Sequence, residues 1–500
     1  VSGLLQPVLE QEAVRQARQA IKNATLRNPS FAARSESARP AAPTQRFVLA
    51  RQDPPPGALL AGGRVTLASK RSPPHHLRLS QLLGGMEIIV LGAGVIGVTS
   101  AWYLAEAGHR VTVVERQPGP ALETSFANGG QVSVSHAEPW ANPETPAKLL
   151  RWLWREDAPL KFRPRLDLAQ WAWGARFLLE CLPVRSRRNA AAIAALARLS
   201  GASLRELRTR TGIQYDQLAR GILHVFTEPE DYEAARRKLP ALTALGLRLE
   251  LKSAAECVAI EPALAASRVP IHGGLYCPDD ESGDARKFTD ALAALAAQRG
   301  VAFRYGTRIE GLQTGAGRVT GVRVTADGDA EVLGADAHVV CLGSYSPRFL
   351  APLGERLPIY PVKGYSVTVP ADEGAPVVSL TDEARKLVFS RLGNRLRVAG
   401  MAELAGYDLS LDPRRCALIL DRVFELFPRA GDRAAAECWT GLRPATPGNV
   451  PVIGRSRRYQ NLYLNTGHGT LGWTLACGSA RVLADRVDGR IPPIEFPWWC

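Results

Sequence analysis

The arrangement of apolar and polar positions changes character at residue 86. Before it, residues 1–85 show helical character only at about Leu9–Leu26. After it, short apolar runs and helical faces succeed one another with no long linker and no internal repeat. Ile88–Leu91 is a continuous run rich in β-branched residues and reads as a buried strand. Val95–Ala107 has an apolar face at Ala101, Leu104 and Ala105 and reads as a helix ended by Gly108. Val111–Val114 reads as a second buried strand. Segment 146–235 is mainly helical, with a long amphipathic stretch stopped at Gly212. Gly221–Glu228 alternates like a strand, and Asp231–Leu245 has helical period up to Gly246. A strand, a polar loop and a helix follow, then a strand and a hairpin around Gly315-Ala316-Gly317. His338–Leu342 returns to the buried type, 357–400 is strand-rich, and Pro413–Phe427 reads as a helix. The last elements are a strand, a glycine-rich turn and a helix.

Strand–helix–strand units thus lie at the front, middle and end, and strand-rich stretches fill the gaps. The pattern predicts an α/β nucleotide-binding domain of Rossmann-like type, α+β overall, built discontinuously from 86–145, 276–350 and 436–490. An inserted antiparallel-sheet substrate domain takes 146–275 and 351–435, and 491–500 form a tail.

Charge separates residues 1–85 from the rest. They carry 12 Lys/Arg against 4 Asp/Glu, so they supply +8 of the chain's net +14. The basic balance is therefore mostly local, and no nucleic-acid motif with interleaved aromatics accompanies it. Three readings of 1–85 stand open: a disordered extension, an Arg-rich targeting peptide, or upstream sequence with Met86 the true first residue. Eight cysteines are scattered without a C-x-x-C pair, which suits free thiols in a reducing compartment and points to no metal site. No apolar run is long enough to span a membrane.

The candidate chemistry begins at the first turn. Gly92, Gly94 and Gly97 follow the first strand as G-x-G-x-x-G. Gly92 allows a tight turn, Gly94 lets the backbone approach a pyrophosphate, and Gly97 lets the helix pack against the strand. The helix N-terminus then points its amides at the phosphates. The expected contact stretch is Val90, Leu91, Gly92, Ala93, Gly94, Val95, Ile96, Gly97 and Val98. Glu115, 18 residues beyond Gly97, sits where a carboxylate meets an adenosine ribose, with Arg116 beside it. Glu115 would repel a 2′-phosphate, which argues against NADP. This stretch alone does not separate NAD from FAD.

Three later stretches do: "ETSFANGGQVS" (Glu123–Ser133), "WTGLRPATPGNVPVIGR" (Trp439–Arg455) and "NTGHGTLGWTLACGSA" (Asn465–Ala480). Together with the opening turn and "YPVKGYS", they resemble the FAD-dependent amino-acid oxidoreductases of the D-amino-acid oxidase and glycine oxidase superfamily. The likeness is strongest to bacterial D-amino-acid dehydrogenases of the small-subunit type and spans about Met86–Arg490. It implies FAD held non-covalently. It sets Thr124, Ser125, Asn128, Gly129 and Gly130 against the flavin ring, with Gly343, Gly467, His468, Gly469, Thr470, Leu471 and Gly472 near it. It also makes Arg443 of "GLRP" the clamp for a substrate carboxylate, a task suited to the planar two-pronged guanidinium. Tyr365, Arg391 and His468 are further candidates for the catalytic site, and Tyr345 a weaker one.

The resemblance implies oxidation of a D-amino acid, D-alanine-like, to an imino acid that water converts to a 2-oxo acid and ammonia. It further implies a quinone or respiratory-chain acceptor, hence a cytoplasmic protein in contact with the inner face of the membrane. Trp152, Trp154, Trp171 and Trp173, mixed with basic residues, would either supply that contact or fill the core. An oxygen-using oxidase, an NAD-dependent dehydrogenase and a non-catalytic FAD-binding subunit are the alternatives. The end "EFPWWC" is abrupt for the pattern, and a missing tail over the flavin would weaken cofactor retention. Oligomeric state is not legible.

Overall fold

Two sheets face a common cavity. The computed structural model describes residues 85–136, 138–152 and 158–499. The expected features before residue 85, and Trp154, lie outside these residues. The first sheet has six strands, ordered Val452–Arg455, Leu462–Thr466, Ala337–Val340, Glu87–Leu91, Arg110–Val114 and Ala302–Arg304. All neighbours run parallel except Val452–Arg455. Strands buried on both faces must be apolar throughout, which is why Ile88–Leu91 reads as an unbroken run. The helix Val95–Glu106 packs beside Gly472–Val487 and Ala285–Gln298. Trp102, Phe288 and Trp473 fill that layer. A hairpin with a third strand, from Arg308–Gly315 to Asp329–Leu333, forms a separate small sheet.

The second sheet has nine strands. Its main path runs Glu437–Ala445, Tyr360–Pro370, Arg395–Leu404, Leu387–Leu392, Ser379–Asp382, Ile222–Phe226, Gly273–Cys277 and Glu250–Ser253. The short strand Leu160–Phe162 joins Arg395–Leu404. Most pairs are antiparallel, but this last pair and the pair of Ser379–Asp382 with Ile222–Phe226 are parallel, so the sheet is mixed. The helix Pro413–Leu426 covers its far face; Asp412 caps it by accepting from Arg414 N, and Pro413 opens it.

One predicted boundary moves. Glu437–Ala445 was expected to open the last part of the nucleotide domain, yet it pairs along its whole length with Tyr360–Pro370. The Arg443 strand is therefore an edge of the large sheet. The sequence hides this because the same segment leads directly into the nucleotide-domain strand Val452–Arg455.

Candidate active site

The cavity between the sheets encloses about 1120 Å³, at the upper end of single-ligand pockets and roomy enough for a dinucleotide beside a small substrate. At one end, Gly92 turns at φ 101°, and its N–H donates to Val114 O at 2.8 Å, tying the loop to the second strand. A Cβ on Gly97 would lie 1.8 Å from Gly92 O, so only glycine lets this helix approach. A Cβ on Gly94 would meet only Ser125 Oγ, at 3.5 Å, because Gly94 faces the opening. The helix Val95–Glu106 has no acid in its first turn; Ser125 Oγ accepts from Val95 N at 3.1 Å. Its positive end is left for an anion.

Glu115 lines the cavity and accepts from Ala93 N at 2.8 Å and Gln117 N at 2.9 Å. Burial raises its pKa, and these amide bonds oppose the rise. Arg116 pairs with Glu123 at 2.6 Å and lies over the Tyr345 ring. Val95, Ile96 and Gly343 also border the opening. Val90, Leu91, Ala93, Gly97 and Val98, expected as contacts, do not: Val90 and Val98 are core, and Gly97 is tucked under the Gly92 carbonyl. They support the loop from behind.

The Glu123–Ser133 loop bridges the two sheets. Thr124 Oγ1 donates to Leu442 O at 2.9 Å, and Asn128 Oδ1 accepts from Gly130 N at 3.0 Å. Ser366 Oγ and Ser390 Oγ donate to the carbonyls of Ala127 and Gly129, each at 2.8 Å. A Cβ on Gly129 would stand 2.4 Å from Val388, so this glycine admits the large sheet. From the far end of the chain come Gly467 at φ 81°, Gly469 at φ 54°, Thr470, Leu471 and Gly472. They deliver the N-terminus of Gly472–Val487, again without an acid in its first turn.

Arg443 sits in the cavity wall. Nη1 donates to Met401 O at 2.7 Å and Nη2 to Gly400 O at 3.2 Å. Burial alone pulls its pKa down to about 10. No carboxylate among the described residues forms an ion pair with it. Two carbonyls orient the fork but leave a buried positive charge without an anion, a costly state until one arrives.

The other candidates fare differently. His468 borders the cavity, but its Nε2 is 3.1 Å from Ser479 Oγ, and burial drops its pKa to about 3, leaving it neutral. Tyr365 borders the cavity, but its ring packs in the core beneath the sheet with Val367 and Val423, and its hydroxyl donates to Glu403 at 3.2 Å. Strand alternation turns it away from the face that Gly364 presents to Arg443. Arg391 is outside the cavity lining, donating to the carbonyls of Gly393 and Ala375 at 3.3 Å. Tyr345 borders the opening under Arg116.

Sequence reasoning missed the opposite end of the cavity. There His224 Nδ1 lies 2.7 Å from Glu383, which also pairs with Lys386, and His136 stacks on His224 at 6.1 Å. Burial works against a charge on His224, but Cys277 and Glu383 raise its pKa to about 10. The signal was a lone polar residue within the apolar "ILHVF" strand.

Such a nucleotide sheet, sharing its cavity with a large mixed sheet that presents an arginine with no carboxylate partner among the described residues, has the make-up of a two-part flavoprotein oxidoreductase. The chain belongs to the family of FAD-dependent oxidoreductases, whose model matches residues 87–486. A D-amino acid dehydrogenase of Dechloromonas aromatica (strain RCB) is 56% identical over 416 residues, which is 83% of this chain and 99% of that protein. One from Paramagnetospirillum magneticum is 55% identical over 414 residues, 82% of this chain and 97% of its own length. Among solved structures, glycine oxidase from Bacillus cereus aligns with a TM-score of 0.62 at 23% identity, over 81% of this chain and 95% of that one, a likeness of fold.

Proposed function

We propose that the protein oxidatively deaminates D-amino acids, D-alanine-like in size, to 2-oxo acids and ammonia. The observation that carries this reading is Arg443: a guanidinium oriented by two carbonyls and with no carboxylate partner among the described residues, at the wall of a nucleotide-type cavity. An amino acid's carboxylate satisfies it with two parallel charge-assisted hydrogen bonds. The D-amino acid dehydrogenases above, matched along nearly their whole length, supply the chirality.

FAD, held non-covalently, supplies the two-electron acceptor for the Cα–H bond. Gly92, Gly94 and the N-terminus of Val95–Glu106 would hold its pyrophosphate, Glu115 its ribose, and Asn128 to Gly130 with Gly467 to Gly472 its ring end. Arg443 fixes the carboxylate, so the Cα–H points at one place and proximity lowers the barrier. The unblocked N-terminus of Gly472–Val487 stabilises negative charge that develops near it. His468, neutral and bound to Ser479, contributes shape and takes no proton. Electrons then leave to a quinone or respiratory acceptor, with the protein cytoplasmic and peripheral to the inner face of the membrane. No helix among the described residues is long and apolar enough to cross a membrane.

The test is anaerobic addition of D-alanine or L-alanine to the FAD-loaded protein. Bleaching by the D-isomer alone supports the reading, and no bleaching by either would sink it. Stoichiometric peroxide in air would identify an oxidase.

A further inference from the structure

The helix Leu168–Glu180 is apolar on two opposite faces. Its inner face, Gln170, Trp173 and Phe177, is buried. Trp173 Nε1 donates to Ala445 O at 2.8 Å, and Phe177 borders the cavity. Its outer face carries Leu168, Trp171, Ala172, Ala175, Leu178 and Leu179, all exposed, and at helical spacing these fall in a single stripe. Leu166 and Leu182 with Val184 extend the stripe at either end. Of the eleven exposed large apolar side chains among the described residues, seven lie between 166 and 184, with Leu168 at 88% and Trp171 at 53% exposure. Scattered exposed leucines need no explanation, but a contiguous stripe of this kind marks an interaction site.

Charge identifies the partner. Residues 161–188 hold seven Lys/Arg against two Asp/Glu. Both acids are engaged within the fold: Asp167 caps the helix and accepts from Tyr360, and Glu180 holds Arg185 and Asn189. Arg163 is likewise paired, with Glu403 and Asp412, so the basic rim rests on Arg165, Arg176, Arg187 and Arg188. A second copy of this chain would set one basic rim against another, since a two-fold interface matches like with like. Residues 1–85 are themselves strongly basic and would meet the same repulsion. An anionic bilayer satisfies both parts, taking the apolar stripe at the acyl boundary and the basic rim at the headgroups.

We propose that the outer face of Leu168–Glu180, with Leu166, Leu182 and Val184, is the face by which the protein docks on an anionic lipid bilayer. Trp171 lies in the docking stripe and Trp173 behind it, so the two tryptophans have opposite roles. Because Phe177 borders the cavity from the inner side, the bilayer lies one helix thickness, about 10–12 Å, from the cavity wall. That placement rests on the reading that electrons leave to a membrane-held acceptor, although lipid binding itself does not.

The test uses the FAD-loaded full chain, sedimented with phosphatidylcholine vesicles with or without phosphatidylglycerol. Binding should require the anionic lipid and weaken with salt. Leu178→Glu with Leu179→Glu should lower it about tenfold or more, since charges at apolar interfacial positions are strongly disfavoured. Neither leucine borders the cavity, so turnover with a soluble dye acceptor should be unchanged. Equal vesicle binding by the double variant overturns the proposal. So does a wild-type dimer that the variant converts to monomer, or vesicle binding that appears only after residues 1–84 are removed. Vesicle binding is read without turnover, so a protein that binds lipid but does not oxidise D-alanine would sink the activity and leave the docking face standing.

Discussion

Gly364 and Arg443 face one another across two paired strands, and a methyl group on Gly364 would lie 2.3 Å from Arg443 Cζ. The guanidinium therefore occupies the place of the side chain that Gly364 lacks. Gly364→Ala is predicted to displace the fork and raise KM for D-alanine, with flavin content unchanged. Arg443→Ala should lower kcat/KM by about ten- to a hundredfold or more, the value of losing charged hydrogen bonds. Steady-state kinetics beside the flavin-to-protein absorbance ratio decides it; loss of flavin with activity would show that Arg443 acts by holding the cofactor and not the substrate.

Two glycines, one at the turn and one inside the helix that follows it, should behave oppositely. At Gly97 a Cβ meets backbone at 1.8 Å, so Gly97→Ala must push the helix from the strand, lowering the melting temperature and abolishing flavin retention. At Gly94 a Cβ meets only Ser125 Oγ at 3.5 Å, so Gly94→Ala should fold at wild-type stability yet bind FAD more weakly. Melting curves with and without added FAD distinguish them.

The His224–Glu383 pair predicts a pH-dependent stability. His224 is raised from 6.5 to about 10, so its contribution is whole below about pH 6.5 and lost as pH rises through 10. Glu383 is lowered from 4.5, so its share is present above about pH 4.5 and lost in acid. Urea midpoints of the wild type should fall from pH 6.5 towards 10, and His224→Gln should flatten that slope. An unchanged slope would show that the pair is not what titrates.

Tyr365→Phe and Arg391→Ala should leave kcat and KM within about twofold, because the Tyr365 hydroxyl is engaged by Glu403 and Arg391 lies outside the cavity lining. Tyr365→Phe removes its bond to Glu403 and should cost about 1 kcal/mol of stability by denaturant titration. A large fall in kcat for either would restore it as a catalytic candidate.

These contrasts show where the sequence was informative. The Gly92–Gly97 turn was legible because its tightest steric demand, a Gly97 Cβ against Gly92 O, falls within six residues of chain. The phase of Tyr360–Pro370 was not: whether Gly364 or Tyr365 shares the face of Arg443 depends on pairing with Gly441 and Gly400, far away in sequence. Alternation states that neighbours face oppositely and leaves open which way. The His224–Glu383 contact spans 159 positions, and no local pattern joins them. Trp171 and Trp173 looked alike as a basic, aromatic pair, and helix packing assigned them to opposite faces.

The carbonyl of Leu442, the residue before Arg443, receives two hydroxyls, Thr124 Oγ1 at 2.9 Å and Ser344 Oγ at 3.0 Å. Thr124 comes from the loop assigned to the flavin, and Ser344 adjoins Gly343. Whatever firms those loops also firms the clamp, so cofactor and substrate should load in order, FAD before amino acid. Thermodynamic linkage makes the influence mutual. A carboxylate that fills the Arg443 site without reacting is predicted to slow the escape of flavin, and Thr124→Val should uncouple the two.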